Sequence, residues 1–434
     1  MTQTSASRSV WQGGGLTVGK SSKPGSSSVR KAALLSFITI VVVCITVLQK
    51  ICLPLGSGGS ATQLEVALPI TAVAMALLAF FAKFQVDMGR AGLFLLFLLA
   101  AAPTVLIQSG TASSSSALLL FIIYAPLVLY VEVSESTYRN LMKVFLNAMV
   151  IAGGIAIIQE ASELIWSWRI WPNLDQLVRP ENLMQNYIYI QPIKKGMTLM
   201  KPNGVFFLEV SFLSQWTAIA LALELVYFRR AWRMIFYMVV LVSCFAGTGL
   251  LLLAISGPVL LTRLSRRSLA LVGVVLVSFI VVALSINWFD QVQHRFMEFQ
   301  ETGSSANFRF VQPLLVLLDL CKKPLALVVG EGPGSGAKGY AEVWWTSTKV
   351  AYEYSLIAAG CFIAFVTYVL FKDAPSKRMA FVLLVMMNFM AHLLVPVYPI
   401  LIFMIGGMFR IRPSSRGERE SEARTGSKSA SVVE

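Results

Sequence analysis

The apolar residues of this chain come in blocks of about 15 to 23, nearly free of charge, and that block length limits what the chain can fold into. About 20 apolar residues cross a bilayer as one helix. Closed barrels instead alternate apolar and polar residues, and these blocks do not alternate. Only 13% of the 434 residues are charged, about half the share usual in a soluble domain, and the mean hydropathy is +0.71. The sequence therefore predicts an all-α polytopic membrane protein with about 12 transmembrane helices.

Spans are expected near Ala32–Ile51, Leu64–Phe81, Ala91–Ile107, Ala117–Val133, Val144–Ala161, Val205–Phe228, Met234–Ala246, Thr248–Thr262, Leu269–Asn287, Lys349–Phe371, Met379–Leu393 and Val395–Phe409. The stretches Met234–Thr262 and Met379–Phe409 are long for one helix and short for two. Each has a breaker near its middle, Gly247-Thr248-Gly249 in the first and Pro396 with Pro399 in the second, and basic clusters flank both ends of each. A single crossing would strand one cluster outside, so each stretch reads as a tight helical hairpin.

Charge placement sets the orientation. Of the 36 Lys and Arg, 24 lie in the two tails and five inner loops, and 11 of the other 12 belong to two long segments. Basic residues beside short loops mark the cytoplasmic side. This makes 1–31 and 410–434 disordered cytoplasmic tails rich in polar residues. Between them lies a transmembrane domain, 32–409, with long periplasmic loops at 162–204 and 288–348. That is the layout of a multi-pass protein of a bacterial inner membrane. The net charge of +14 thus serves topology rather than nucleic-acid binding. The five cysteines form no CxxC or Cys/His cluster, so neither a disulfide framework nor a metal site is expected.

Long loops are exempt from the orientation rule, so their basic residues need another explanation. The first holds Arg169, Arg179, Lys194, Lys195 and Lys201, interleaved with Trp166, Trp168, Trp171, Tyr187 and Tyr189. The second holds Arg295, Arg309, Lys322, Lys323 and Lys338, with Lys349 at its exit. Interfacial anchoring explains part of this pattern. It explains Arg309 poorly, because that residue opens the apolar amphipathic run Phe310–Leu320. Ionisable residues are nearly absent from the spans, His392 and Glu224 being the clearest, whereas ion-coupled transporters line their pathways with them. Charge gathered at the outer mouths of the helices points to chemistry at the periplasmic boundary.

Three stretches carry a family resemblance. Lys201-Pro-Asn-Gly-Val-Phe-Phe-Leu-Glu209-Val-Ser211 resembles the basic-PNG…FLEPS segment of the O-antigen polymerase and ligase superfamily. Ser243-Cys-Phe-Ala-Gly-Thr-Gly-Leu250 is similar to its S-x-TG-L hairpin. Arg295 through Ser304-Ser305 to Arg309, then Pro324 and Gly330-Glu-Gly-Pro-Gly334, then Glu353-Tyr354, follow its order of Arg, Pro, GxGPG and E-Y-G. Within the superfamily the chain most resembles exopolysaccharide polymerases of the Wzy type, including the xanthan branch. It departs at Lys201 (commonly Arg), Val210 (commonly Pro) and Ser355 (commonly Gly). It also has Trp344-Trp345-Thr346 where ligases carry a histidine, which counts against a ligase.

The resemblance implies transfer of a glycan from undecaprenyl pyrophosphate to a sugar hydroxyl of another lipid-linked repeat unit at the outer face. Membrane lipid and other assembly proteins (a flippase and a chain-length regulator) would be its partners. No metal and no cofactor are implied. Arginine forks suit phosphate oxygens, and stabilising a leaving group's developing charge is usually the largest catalytic effect. Arg309, Arg295 and Glu209 are the catalytic candidates. Arg179, Lys201, Asn203, Lys349 and Arg169 are the substrate-binding candidates. Each has a rival role: an ion pair with Glu298 or Glu301 for Arg309 and Arg295, interfacial anchoring for Arg179 and Lys201, and partnership with a nearby Arg for Glu209. His294 is a weaker base candidate, His392 reads as a core histidine, and Gly332–Lys338 reads as a turn rather than a nucleotide loop. A ligase or a lipid-oligosaccharide flippase is the alternative function, although no internal repeat of the flippase kind is visible.

Reporter fusions test the topology. Fusions after Gln185 and Lys338 should be active only with a periplasmic reporter, and those after Arg267 and Ser376 only with a cytoplasmic one. The opposite sign at either long loop would overturn it.

Overall fold

The computed structural model describes residues 25–55, 62–108, 113–166, 177–184, 187, 190–193, 199–262, 304, 307–335 and 345–412, with isolated positions between 270 and 300. The described chain is mostly helical, with 14 α-helices and no barrel. Four helices are long and apolar enough to cross a membrane: Ser28–Thr46, Met88–Ile107, Glu135–Trp166 and Val210–Phe228. Six further apolar helices are shorter. The expected span Leu269–Asn287 falls almost wholly outside the described residues.

The first half contains α1 (Gly25–Thr46), the hairpin β1 (Cys52–Leu55) and β2 (Thr62–Glu65), α2 (Ala67–Phe81), β3 (Gln85–Val86), α3 (Met88–Ile107), α4 (Ser114–Tyr124), β4 (Leu129–Val133) and α5 (Glu135–Trp166). The second half contains α6 (Val210–Leu223), α7 (Ala231–Ser243), α8 (Gly247–Leu261), α9 (Gln312–Leu320), α10 (Pro324–Val329), α11 (Thr346–Tyr354), α12 (Leu356–Phe371), α13 (Lys377–Phe389), α14 (Val397–Ile402) and β5 (Phe409–Ile411). Both ambiguous stretches break as expected, α7 from α8 and α13 from α14.

Several boundaries differ from the sequence reading, each for a local reason. Helix α1 begins at Gly25, inside the expected tail. The span Ala117–Val133 ends as a 3-10 turn at Ala125–Val128 followed by strand β4, because Pro126 lacks the amide that would continue the helix. The span Leu64–Phe81 begins as a helix only at Ala67, and Leu64 and Glu65 pair in the β1–β2 hairpin instead. Lys349–Phe371 divides at Ser355, whose φ is +136°. That value favours glycine, the residue common in the resembled family. Serine is accommodated because its hydroxyl accepts the Ala358 N–H at 3.0 Å and caps α12.

Helix α6 is the centre of the bundle: all of its residues from Val210 to Leu223 are buried. It packs against α5, α7, α8 and α13. Its polar residues explain the Ser-Gly-Thr-Gly-type hairpin opposite. Thr248 donates to the Ser211 carbonyl at 3.3 Å, and the Gly249 N–H donates to the Ser214 hydroxyl at 3.1 Å. A Cβ on Gly249 would sit 2.3 Å from the Ser214 carbonyl oxygen, so only glycine lets α8 approach this closely, as small residues do in membrane helix packing.

Loops expected on one side contact each other. On the side expected to face the cytoplasm, β3, β4 and β5 form one small sheet, with β4 and β5 parallel. Arg90, buried, donates to the Gly407 carbonyl at 2.7 Å and to those of Leu127 and Leu129 at 3.3 Å each. Asp87 meets Arg410 at 2.7 Å and Lys372 at 3.2 Å. Burial pushes the Asp87 carboxyl up, but the Arg90 amide and the Lys372 and Arg410 cations outweigh it and hold it at about 2. Glu224 is likewise buried against Arg230 and Arg233. On the side expected to face outward, the Ser113 N–H donates to the Pro333 carbonyl at 2.8 Å. The β1–β2 hairpin joins the first long loop through Ile51 and Leu183.

Candidate functional site

The Pro-Asn-Gly segment is a turn locked by side chains. Asn203 Oδ1 accepts the Val205 N–H at 2.9 Å, and Gln159 Oε1, from α5, accepts the Gly204 N–H at 2.8 Å. Gly204 and Val205 both have positive φ, +63° and +67°. For a β-branched residue that conformation is uncommon, and backbone strain of this kind persists only where the surroundings over-determine it. The turn is so determined, and it delivers Glu209 to the first position before α6. Asn203 therefore acts here as the organiser of the turn. Lys201 is buried beside it, and its backbone N–H donates to the Gln191 carbonyl at 2.7 Å.

Arg309 lies in a π-helical turn, Asn307–Val311, that leads into α9. Turns of this kind are frequent at functional sites. Gln312 donates to Asn307 Oδ1 at 3.1 Å and braces the turn. From it the Arg309 Nη2 reaches Glu209 Oε2 at 3.3 Å, a carboxylate oxygen that also accepts the Ser211 hydroxyl at 3.0 Å. Both partners are largely buried. Glu209, a hundred residues away, is thus one ion-pair partner of Arg309. Glu298 and Glu301 lie outside the described residues.

The remaining motifs close around this pair. Beyond α10, the Glu331 and Gly332 amides donate to the Tyr352 and Glu353 carbonyls at 2.8 and 3.0 Å. A Cβ on Gly330 would lie 2.7 Å from the Glu353 carbonyl oxygen. This places α11 and its Lys349–Glu353 pair, 3.9 Å apart. Helix α9 packs against α11. His392, in the turn before α14, lies within electrostatic reach of both Lys349 and Arg309 and edge-on to Tyr187, with ring centroids 6.2 Å apart. Tyr398 donates to Gln215 Oε1 at 3.0 Å and senses Arg309 and Glu209. It packs against Phe212 and Trp216.

The substrate-binding candidates separate. Lys201, Asn203 and Lys349 belong to the segments that build this region. Arg179 is exposed and pairs loosely with Glu181 at 3.8 Å, so nothing places it in the cluster. Arg169 and Arg295 lie outside the described residues, as does His294. Among the described residues no group of three His, Cys, Asp or Glu has the arrangement of a metal site.

Sequence reasoning passed over Gln159, Tyr398 and Glu65, and read His392 as a core residue. Only tertiary proximity singles these out, since none belongs to a motif. Glu65 is fully buried, and burial pushes its carboxyl up to about 8. No family model, curated protein or solved structure matches this chain.

A largely buried Arg–carboxylate pair with further cations nearby can receive a phosphate anion: the guanidinium re-aims from carboxylate to phosphate, leaving the carboxylate to accept a proton. Losing one charge-assisted hydrogen bond costs about 1.5–3 kcal/mol, or roughly ten- to a hundredfold in rate. Arg309→Ala should therefore weaken binding of a pyrophosphate anion about ten- to a hundredfold while the protein inserts at its normal level, and Arg309→Lys should recover only part of it, because a point charge does not reproduce the fork. Unchanged pyrophosphate binding by Arg309→Ala, measured in liposomes alongside membrane protein level, would reduce Arg309 to a structural ion pair.

Proposed function

We propose that this protein is a polysaccharide polymerase of the Wzy type. It joins undecaprenyl-pyrophosphate-linked oligosaccharide repeat units into an exopolysaccharide at the periplasmic face of a bacterial inner membrane. The observation that carries this reading is the meeting of Arg309 and Glu209 at 3.3 Å. They come from the two motif-bearing segments that resemble the O-antigen polymerase and ligase superfamily. The other two motifs of that resemblance support the same place. The Thr248-Gly249 pair seats α8 on α6, and the Gly330–Gly334 loop seats α11.

In this reading Arg309, with Lys349 and Lys201 nearby, binds the pyrophosphate of the donor and stabilises charge on the leaving oxygen as the glycosidic bond to phosphate breaks. Glu209, freed from Arg309 by the incoming anion, takes the proton of the acceptor hydroxyl as the new glycosidic bond forms. The membrane-facing helices hold both lipid anchors at one depth, so donor and acceptor meet with little rotational freedom. The ligase alternative lacks a specific observation in its favour, because Trp344-Trp345-Thr346 stands where ligases carry histidine.

Deleting the gene tests the reading. Polymer should disappear while single repeat units accumulate on lipid at the outer face. Accumulated full-length polymer on lipid would instead indicate a ligase, and repeat units trapped at the inner face a flippase. In purified protein, transfer should survive excess chelator; loss in EDTA with rescue by a divalent ion would refute the arginine-centred chemistry.

A further inference from the structure

Between Lys201 and Glu209 the chain forms neither helix nor strand, yet most of this stretch is buried. Buried amides without a ladder must be satisfied another way, and here side chains accept them. Glu163 Oε2 accepts the Met200 N–H at 2.7 Å, and Gln159 Oε1 the Gly204 N–H at 2.8 Å. Gln49 Oε1 accepts the Leu208 N–H at 3.2 Å. Gln159 and Glu163 stand four residues apart on α5 and so share a face. Gln49 reaches the same stretch from a separate element, the turn that follows α1.

Each glutamine amide is fixed at both of its ends. The Gln49 Nε2 donates to the Ile45 carbonyl near the end of α1, and the Gln159 Nε2 donates to Asn203 Oδ1 at 3.4 Å. Neither a carboxylate nor a hydrocarbon could serve both partners. The backbone around Gln49 is held as well. The Lys50 carbonyl accepts the Met184 N–H at 2.9 Å, and the Ile51 carbonyl accepts the Val66 N–H at 3.1 Å. Leu208, which Gln49 grips, is the last residue before Glu209. On the far side the Glu209 carbonyl accepts the Phe212 and Leu213 amides at 3.1 and 3.4 Å as α6 begins. The Glu209 backbone is thus held from both directions, and its carboxylate meets Arg309 and Ser211 from that fixed base.

We propose that Gln49 and Gln159 are positioning residues for the Glu209 carboxylate. They act through the backbone of the segment that carries it, not through contact with a ligand. A reacting group misplaced by about 1 Å can cost up to roughly a hundredfold in rate, so a loosened segment slows proton transfer. Arg309 stands on a different segment, Asn307–Val311, and donor binding through it does not depend on the two glutamines. The role of Glu209 as base rests on the polymerase reading; the grip on its segment does not.

The test uses the full-length protein in liposomes with a polyprenyl-diphosphate-linked repeat unit as donor. Gln49→Met keeps the side-chain length and removes both polar contacts. Its kcat should fall about ten- to a hundredfold, with donor Kd and KM unchanged. In a Glu209→Ala background the same substitution should cost nothing further, because residues that work as a unit are non-additive. Hydrogen exchange of the Leu208 amide should quicken about three- to tenfold, with the middle of α5 and of α6 unaffected. A kcat equal to the wild type's, a loss carried by KM alone, or an equal loss in the Glu209→Ala background would overturn the proposal. Gln159→Met should repeat the pattern at the Gly204 amide, and it decides the matter if Gln49→Met does not insert. If neither variant inserts, the glutamines hold the bundle and not the carboxylate, and the proposal fails. A wild type that never transfers glycan would sink the polymerase reading. Exchange at Leu208 then decides the inference alone: unchanged exchange overturns it, and faster exchange sustains it.

Discussion

A largely buried ion pair at the outer end of a fully buried helix is the constraint on which the rest of this structure depends. Helix α6 has no lipid-facing side from Val210 to Leu223, so its polar residues must be satisfied by neighbouring helices. Ser211 and Ser214 meet α8, and Gln215 meets Tyr398 of α14. An unpaired carboxylate at the mouth of such a helix would be expensive. Arg309 comes to Glu209 from the π-helical turn ahead of α9. The π-helical turn at Asn307–Val311, the brace from Gln312 and the packing of α9 on α11 are consequences of that demand.

The two faces of the protein use charge differently. On the side expected to face inward, Arg90, Asp87, Arg410, Lys372 and Asp373 form a network whose members pair with each other or with backbone carbonyls. Such a network ties β3, β4 and β5 together. On the side expected to face outward, the Arg309–Glu209 pair has an imidazole and a phenol in electrostatic reach. The first arrangement holds helix ends in place. The second suits an anion arriving from outside, because Arg309 can exchange a protein carboxylate for a ligand oxygen without becoming uncompensated.

Much of this was legible in the sequence. The apolar blocks and their breakers gave the helices, and motif order marked Glu209, Arg309, Asn203 and Gly330. That Arg309 meets Glu209, a hundred residues away, was not legible from spacing; the nearer choices, Glu298 and Glu301, lie outside the described residues. Motifs also concealed some of their reasons. Asn203, a substrate-binding candidate by sequence, organises the turn that aims Glu209. Ser355 reads as a departure from glycine, yet it occupies a glycine-favouring φ by capping α12. Glu65 was swallowed by an apolar run and counted within a span, because one carboxylate in a hydrophobic window does not shift its average. Short strands such as β4 escaped for the same reason, since an apolar stretch does not by itself distinguish strand from helix.

The most direct test of the central claim, that Arg309 and Glu209 act as one unit, is a double-mutant cycle on glycan transfer by purified protein in liposomes. Rates are compared for the wild type, Arg309→Ala, Glu209→Ala and the double variant at equal reconstituted protein. Residues that work as a unit are grossly non-additive. The double variant should be no slower than the worse single variant, and each single variant should lose at least about tenfold. Losses that simply multiply, or a normal rate from either single variant, would contradict the account.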